Sequence, residues 1–218
     1  ICFCDVSTGE CFATQTTAAE AGAELVNELG RFSPAEVLLS QGAEQCTQLL
    51  DFAENRLDCY LVRGREHFFA AHSALDAAKT QFSADPLPEG ELLQLAAGAL
   101  MQYLRENQKS DLAHIRKLEA YGRSQYMELD YTARRNLELT TSLRTGEKRG
   151  SLLWVLDHTK TAMGARLLKQ WLERPLRSVP QIQSRQNAVA ELLENDRLRD
   201  DLAADMSKIY DIERIVGR

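Results

Sequence analysis

Asp5 is the acidic residue whose placement comes nearest to a catalytic one, because it ends a short β-prone segment, residues 1–6, just before the turn Ser7-Thr8-Gly9-Glu10. Two-metal phosphodiester hydrolysis needs several carboxylates converging on Mg²⁺ sites about 4 Å apart. Glu10 falls in the turn, Asp58 precedes a later strand and Asp76 sits in a helical stretch, so no spacing specifies such a cluster. The plainer role for Asp5 is to accept hydrogen bonds from the turn that follows it. A metal-dependent nuclease using Asp5 stays open as an alternative.

Other reactive types are equally unclustered. His67 and His72 are five apart, which puts them on different faces of a helix, and His114 and His158 stand alone beside turns. The five cysteines all lie in the first 59 residues, with no C-x-x-C and no histidine at zinc spacing, and are read as reduced thiols in a core. No G-x-S-x-G is present, and Gly146-Glu147-Lys148-Arg149-Gly150 lacks the spacing and the hydroxyl of a phosphate-binding loop. No catalytic, cofactor-binding or metal-binding residue is therefore assigned. Arg134, Arg135, Lys148 and Arg149 are the candidates for phosphate contact, and a helical DNA-binding module built on them is a second alternative.

Charge divides the chain. Residues 1–109 carry 7 Lys and Arg against 16 Asp and Glu, whereas residues 110–218 carry 19 against 16. The first half repels nucleic acid, and the second is far less basic than a dedicated DNA-binding domain. No run approaches the roughly 20 apolar residues that span a bilayer. The first residues already read as a strand, with no initiator Met and no cleavage signal, which is expected of a piece of a longer protein.

The elements that must hold these residues change character along the chain. Residues 1–6 and 11–16 flank the turn as a hairpin, and residues 17–29 form an amphipathic helix ending at Gly30. Val37-Leu38-Leu39 reads as a buried strand, a helix runs from about 41 to 54, and residues 59–62 form a fourth strand. A long helix is expected over 65–82. Alternation of this kind predicts a three-layer α/β domain. Asp85-Pro86-Leu87-Pro88 is the strongest candidate for a local boundary, and residues 89–106 form a helix too apolar to be exposed. Domains are expected at 1–107, α/β and able to fold alone, and at 108–218, mainly α-helical and incomplete.

The second half is read from its caps. Residues 131–139 form a helix, 145–150 a solvated and mobile basic loop, and Ser151 and Thr161 cap two further helices. Leu167, Leu168, Trp171 and Leu172 form the buried stripe of the second, Gly164 allows a neighbour to approach, and Pro175 stops it. Trp154 and Trp171, set among leucines, read as core. Apolar positions near Leu192-Leu193 and Ile209-Ile212 are expected to be partly exposed.

Read as one string, residues 131–177 carry RRNLE, a glycine-bearing basic loop, SLLWVLD, TAMGARLLKQWL and a proline in this order. This order resembles the start of the core, or lever, domain of the MutS family of bacterial DNA mismatch-recognition ATPases. Residues 5–10 (DVSTGE) resemble the opening hairpin of the family's connector domain, and residues 211–218 (DIERIVGR) a later core-helix motif. The resemblance implies a ribonuclease H-like connector over 1–107 and the first part of the core over 108–218. It also implies a cytoplasmic bacterial protein whose full-length form binds mismatched DNA, ATP and Mg²⁺, forms a homodimer and docks MutL. The ATP site and the mismatch-reading Phe-x-Glu element belong to other domains, so this chain is expected to be a connecting and docking region without an enzyme site. Glu66, Ser73, Asp76 and Lys79 are the candidate docking residues, and Ala162, Gly164 and Ala165 the candidate packing residues for transmission.

Overall fold

The computed structural model describes residues 1–17, 19–107, 112–122 and 126–216. They fall into two compact units, the first made of residues 1–122 together with Val216 and the second of residues 126–215. The expected junction at 108–111 and the last two residues of DIERIVGR lie outside the described residues.

The first unit opens with the expected hairpin, β1 (Cys2–Asp5) antiparallel to β2 (Glu10–Ala13), with Asp5 opposite Glu10 and Cys4 opposite Cys11. The turn is built by Asp5: its carboxylate accepts from the Ser7 amide at 2.8 Å and the Ser7 hydroxyl at 2.6 Å. Gly9 takes φ +79°, and a side chain there would meet the His114 carbonyl oxygen at 2.8 Å. A third strand, β5 (Leu118–Ala120), pairs parallel with β2, and a separate two-stranded parallel sheet joins β3 (Glu36–Leu38) to β4 (Tyr60–Val62). The alternation expected to build one layered sheet thus builds two small ones, with helix α2 (Thr47–Asn55) crossing between β3 and β4.

Helix α1 (Ala21–Phe32) runs past the expected stop at Gly30 and ends at Ser33, which takes φ +44°. The extra residues are held by stacking: Phe32 lies 3.9 Å from the Phe3 ring, and the buried Arg31 guanidinium sits 4.9 Å over Phe32 and 4.8 Å over Tyr121. The helix expected over 65–82 is two pieces, a 3₁₀ turn at Glu66–Phe69 and α3 (Ala71–Gln81), separated at Ala70 with ψ 117°. The break lets adjacent Phe68 and Phe69 both reach one apolar cluster with Val62, Ala99 and Tyr103.

Helix α4 (Glu91–Asn107) is the centre of this unit. Leu93, Ala97, Met101 and Leu104 face a cluster with Cys11, Ala13, Phe82, Leu112, Ile115 and Leu118, while Ala99 and Tyr103 face the Phe68 cluster. Asp85 to Pro88 is therefore an irregular connection inside the unit, not a boundary. The expected end at 107 also moves, because Leu112, Ile115 and Leu118 complete the core and β5 extends the sheet, so residues 1–107 alone lack part of their own core.

The second unit holds helices α5 (Tyr131–Asn136), α6 (Leu152–Leu156), α7 (Ala162–Glu173), α8 (Val179–Glu194), α9 (Asp196–Met206) and α10 (Ile212–Val216). Its caps are the expected ones: Ser151 Oγ accepts from the Trp154 amide at 3.2 Å and Thr161 Oγ1 from the Gly164 amide at 3.0 Å. Its apolar stripe is not buried as expected. Trp171 is 40% exposed, Trp154 50% and Leu167 47%, since among the unit's described residues only Leu139 and Leu153 are buried apolar side chains. Arg185 covers the Trp171 ring at 3.5 Å instead of a hydrophobic partner. Leu193, Ile209 and Ile212 are exposed, in line with expectation.

The tightest constraint is at Gly98, where a Cβ would stand 1.7 Å from the Ala74 carbonyl oxygen of α3. Gly98→Ala should lower the unfolding free energy by about 3 kcal/mol or more, the upper range for overpacking. Gly122→Ala, which meets nothing within 4 Å, should cost about 0.5 kcal/mol or less. Equal denaturation midpoints for the two variants would refute the close helix contact.

Candidate functional site

The sequence placed most of its candidates at residues 131–173, and a ladder of polar contacts holds that stretch. Asp130 caps α5 by accepting from the Ala133 amide at 2.6 Å. The chain then leaves the helix at Glu138, which takes φ +48°. The Glu138 carboxylate accepts from the Leu143 amide at 2.6 Å and the Ser142 hydroxyl at 3.2 Å, and its carbonyl accepts from the Leu152 amide at 2.9 Å. Leu153 donates to the Leu139 carbonyl at 2.8 Å, so the chain before the basic loop is joined directly to the start of α6. The loop expected to be mobile is exposed but pinned, with the Gly146 amide on Ser142 and the Ser151 hydroxyl on the Lys148 carbonyl at 2.6 Å.

Lys148 does not face solvent alone. Its ammonium pairs with Asp157, which also accepts from the Thr159 hydroxyl at 2.6 Å and the Thr159 amide at 3.2 Å. The Lys148 hydrogen bond, helped by those from Thr159, holds the Asp157 carboxyl at about 2. Of the four candidate phosphate contacts, Arg135 and Arg149 are exposed, Arg134 is half-buried, and Lys148 is neutralised by its partner.

A second polar centre had no signal in the sequence, because its members are 45 and 47 residues apart. Arg166 on α7 clasps Asp211 with both terminal nitrogens, at 2.9 and 2.6 Å, and donates from Nε to Glu213 at 3.0 Å. The pairing raises the Arg166 guanidinium and lowers the Asp211 carboxyl from their ordinary values. Both acids belong to the DIERIVGR string and the arginine to TAMGARLLKQWL, so two motifs read separately are one contact. Ala162, Gly164 and Ala165 form the first turns of the same helix. Gly164 faces its own cap, with Thr161 Oγ1 3.0 Å from a built Cβ, and no neighbouring helix is among its nearest atoms.

The docking candidates divide between two elements. Ser73, Asp76 and Lys79 are exposed on α3, opposite the buried Ala74, Ala77 and Ala78, and Asp76 pairs with His72 at 3.1 Å. Glu66 lies on the preceding 3₁₀ turn and accepts from the Gln41 amide at 2.8 Å. Asp5 is taken up by its own turn, and among the described residues no group of three His, Cys, Asp or Glu is arranged to hold a metal. No helix among them is long and apolar enough to cross a membrane.

A carboxyl held at about 2, below the ordinary 3.8, contributes stability above that ordinary value and loses it as pH falls toward 2. Asp157→Asn should therefore lower stability at neutral pH by about 1 kcal/mol, a small figure because Lys148 is half-exposed. The gap between variant and parent should close in thermal melts as pH drops from about 4 toward about 2. A gap that does not change with pH would show that the ion pair contributes nothing.

Two family models match the chain in sequence: MutS domain II over residues 1–116 and MutS domain III over residues 132–218. The DNA mismatch repair protein MutS of Symbiobacterium thermophilum is 42% identical over 98% of this chain and 25% of its own length. That of Clostridium tetani is 37% identical over 100% of this chain and 24% of its own length, and that of Thermosynechococcus vestitus 39% over 100% and 26%. The chain thus spans about a quarter of the length of the curated relatives it matches. With domain II followed by domain III and relatives aligned along almost every residue, this chain belongs to the MutS family.

Proposed function

We propose that this chain is the connector domain and the opening of the core domain of a DNA mismatch-recognition protein, and that its own work is mechanical and interactive. The observation that carries this reading is the order of the two family matches, domain II and then domain III. In the proposal, ATP and Mg²⁺, the mismatch contact and the homodimer belong to the full-length cytoplasmic protein, and this stretch carries no reaction. The ribonuclease H-like layering of the first unit is part of the same reading, supported by its hairpin-first order and its two parallel strand pairs.

Two observations support a relay in the second unit. The bonds from Glu138 and Leu139 to Leu152 and Leu153 couple α5 to α6 through backbone groups, which do not rearrange independently. The Arg166 clasp then ties α7 to the chain entering α10. A displacement of one of these elements is passed to the next through directional bonds. DNA contact in this reading is confined to phosphates at Arg135 and Arg149, without sequence or mismatch preference.

MutL is the partner of the first unit, docking on the exposed face of α3. Amide exchange of the protein with and without the N-terminal domain of MutL should show slowed exchange over Ala71–Gln81. Unchanged exchange throughout 1–122 would remove the docking role. Calorimetry with MgATP should show no saturable binding tighter than about 1 mM, roughly 4 kcal/mol, and a tighter site would overturn the mechanical reading.

A further inference from the structure

Three of the five cysteines share one face of the first hairpin. Cys2 and Cys4 alternate along β1, Cys11 lies on β2, and all three pack against the cluster that contains Ala97 and Met101. The register separates them. Ile1 and Thr14 exchange both hydrogen bonds, at 3.0 Å each, so bonded pairs fall at Ile1 with Thr14 and at Phe3 with Phe12. Cys4 and Cys11 therefore form a non-hydrogen-bonded pair, the closer kind, with Cα atoms about 4.5 Å apart. That separation lies within the range a disulfide spans. Cys2 stands opposite Ala13 and has no directly facing thiol.

The Cys4 thiol facing it, followed by burial, raises the Cys11 thiol above its ordinary value. Desolvation likewise pushes Cys2 up to about 12. Cys4 is half-buried whereas Cys11 is 2% exposed, so an oxidant reaches Cys4 first.

We propose that Cys4 and Cys11 are a redox-responsive pair that closes a disulfide across the first hairpin when the protein meets hydrogen peroxide. The Cys4 thiolate attacks one peroxide oxygen, an S–O bond forms, the O–O bond breaks, and the leaving hydroxide takes up a proton as water. The Cys11 sulfur then attacks the Cys4 sulfur, the S–S bond forms, and the S–O oxygen leaves as water with the Cys11 proton. Two thiols lose two electrons in total and the peroxide is reduced to two waters. The bond ties β1 to β2 at the point where β2 also holds β5, so its effect is to lock the sheet edge without moving the turn built by Asp5.

The test is peroxide treatment of the 218-residue protein, followed by alkylation of remaining thiols and cleavage at Glu10 and Glu20, which separates Cys4 from Cys11. The expected result is a fall from five free thiols to three. The accompanying cross-link should join Cys4 to Cys11, persist in Cys2→Ser and vanish on reduction with dithiothreitol. Loss of the cross-link in Cys4→Ser agrees with the proposal. Five thiols remaining, a cross-link through Cys2, or bonding through Cys46 or Cys59 overturns it; Cys2 and Cys4 share the peptide 1–10, so fragmentation of that peptide shows which of the two carries the alkyl group, and the unsubstituted protein decides even if a variant fails to fold.

Discussion

Helix α4 must lie against α3 closely enough that the Gly98 backbone touches the Ala74 carbonyl, because two apolar clusters have to share this one helix. A single amphipathic stripe would serve only one of them. Buried residues on two faces, Met101 toward the first sheet and Tyr103 toward the Phe68 cluster, make α4 the element against which both small sheets are positioned. Each large side chain buried there contributes roughly 1.5–3 kcal/mol, and that contribution depends on a spacing only glycine permits. The small sheets have little independent stability of their own, since strands of three and four residues need a covering helix.

The second unit is held on a different principle. With two buried apolar side chains among its described residues, its geometry rests on caps and directional polar contacts: Asp130, Glu138, Ser151, Asp157 and Thr161 each accept from a backbone amide nearby. Such contacts fix local angles well and long-range order less well. Longer-range ties are few: the Met127 amide donates to the Pro175 carbonyl at 2.8 Å, and the Arg166 clasp joins residues 45 apart with paired, charge-assisted bonds. Exposed Leu167, Trp171, Ile209 and Ile212 mean that the apolar periodicity of these helices is real but has no counterpart in the unit itself.

What was legible in the sequence follows from the range of the interaction responsible. The hairpin, the Asx role of Asp5 and the caps at Ser151 and Thr161 are decided within four residues, and the chain states them directly. The break at Ala70 and the extension of α1 to Phe32 are decided by ring packing against Tyr103, Phe3 and Tyr121, which a local pattern does not contain. The two prolines at 86 and 88 mark a break between helices truthfully, but whether a break separates domains depends on whether the next helix shares the previous core. The buried reading of Trp171 failed for the same reason: periodicity identifies a face, and only a packed partner buries it.

The two holding principles bear on how such a chain can couple distant events. A close-packed pair like α3 and α4 has one arrangement, because sliding by a fraction of a turn drives the Ala74 carbonyl into side chains that have no room for it. A guanidinium clasp can exchange one carboxylate for another at little cost, and Arg166 already divides its donors between Asp211 and Glu213, with Arg214 3.8 Å from Asp211 as a competing partner. Two-state behaviour in this chain is therefore expected at the polar clasp and not in the packed core, since coupling requires an element with two arrangements of similar free energy.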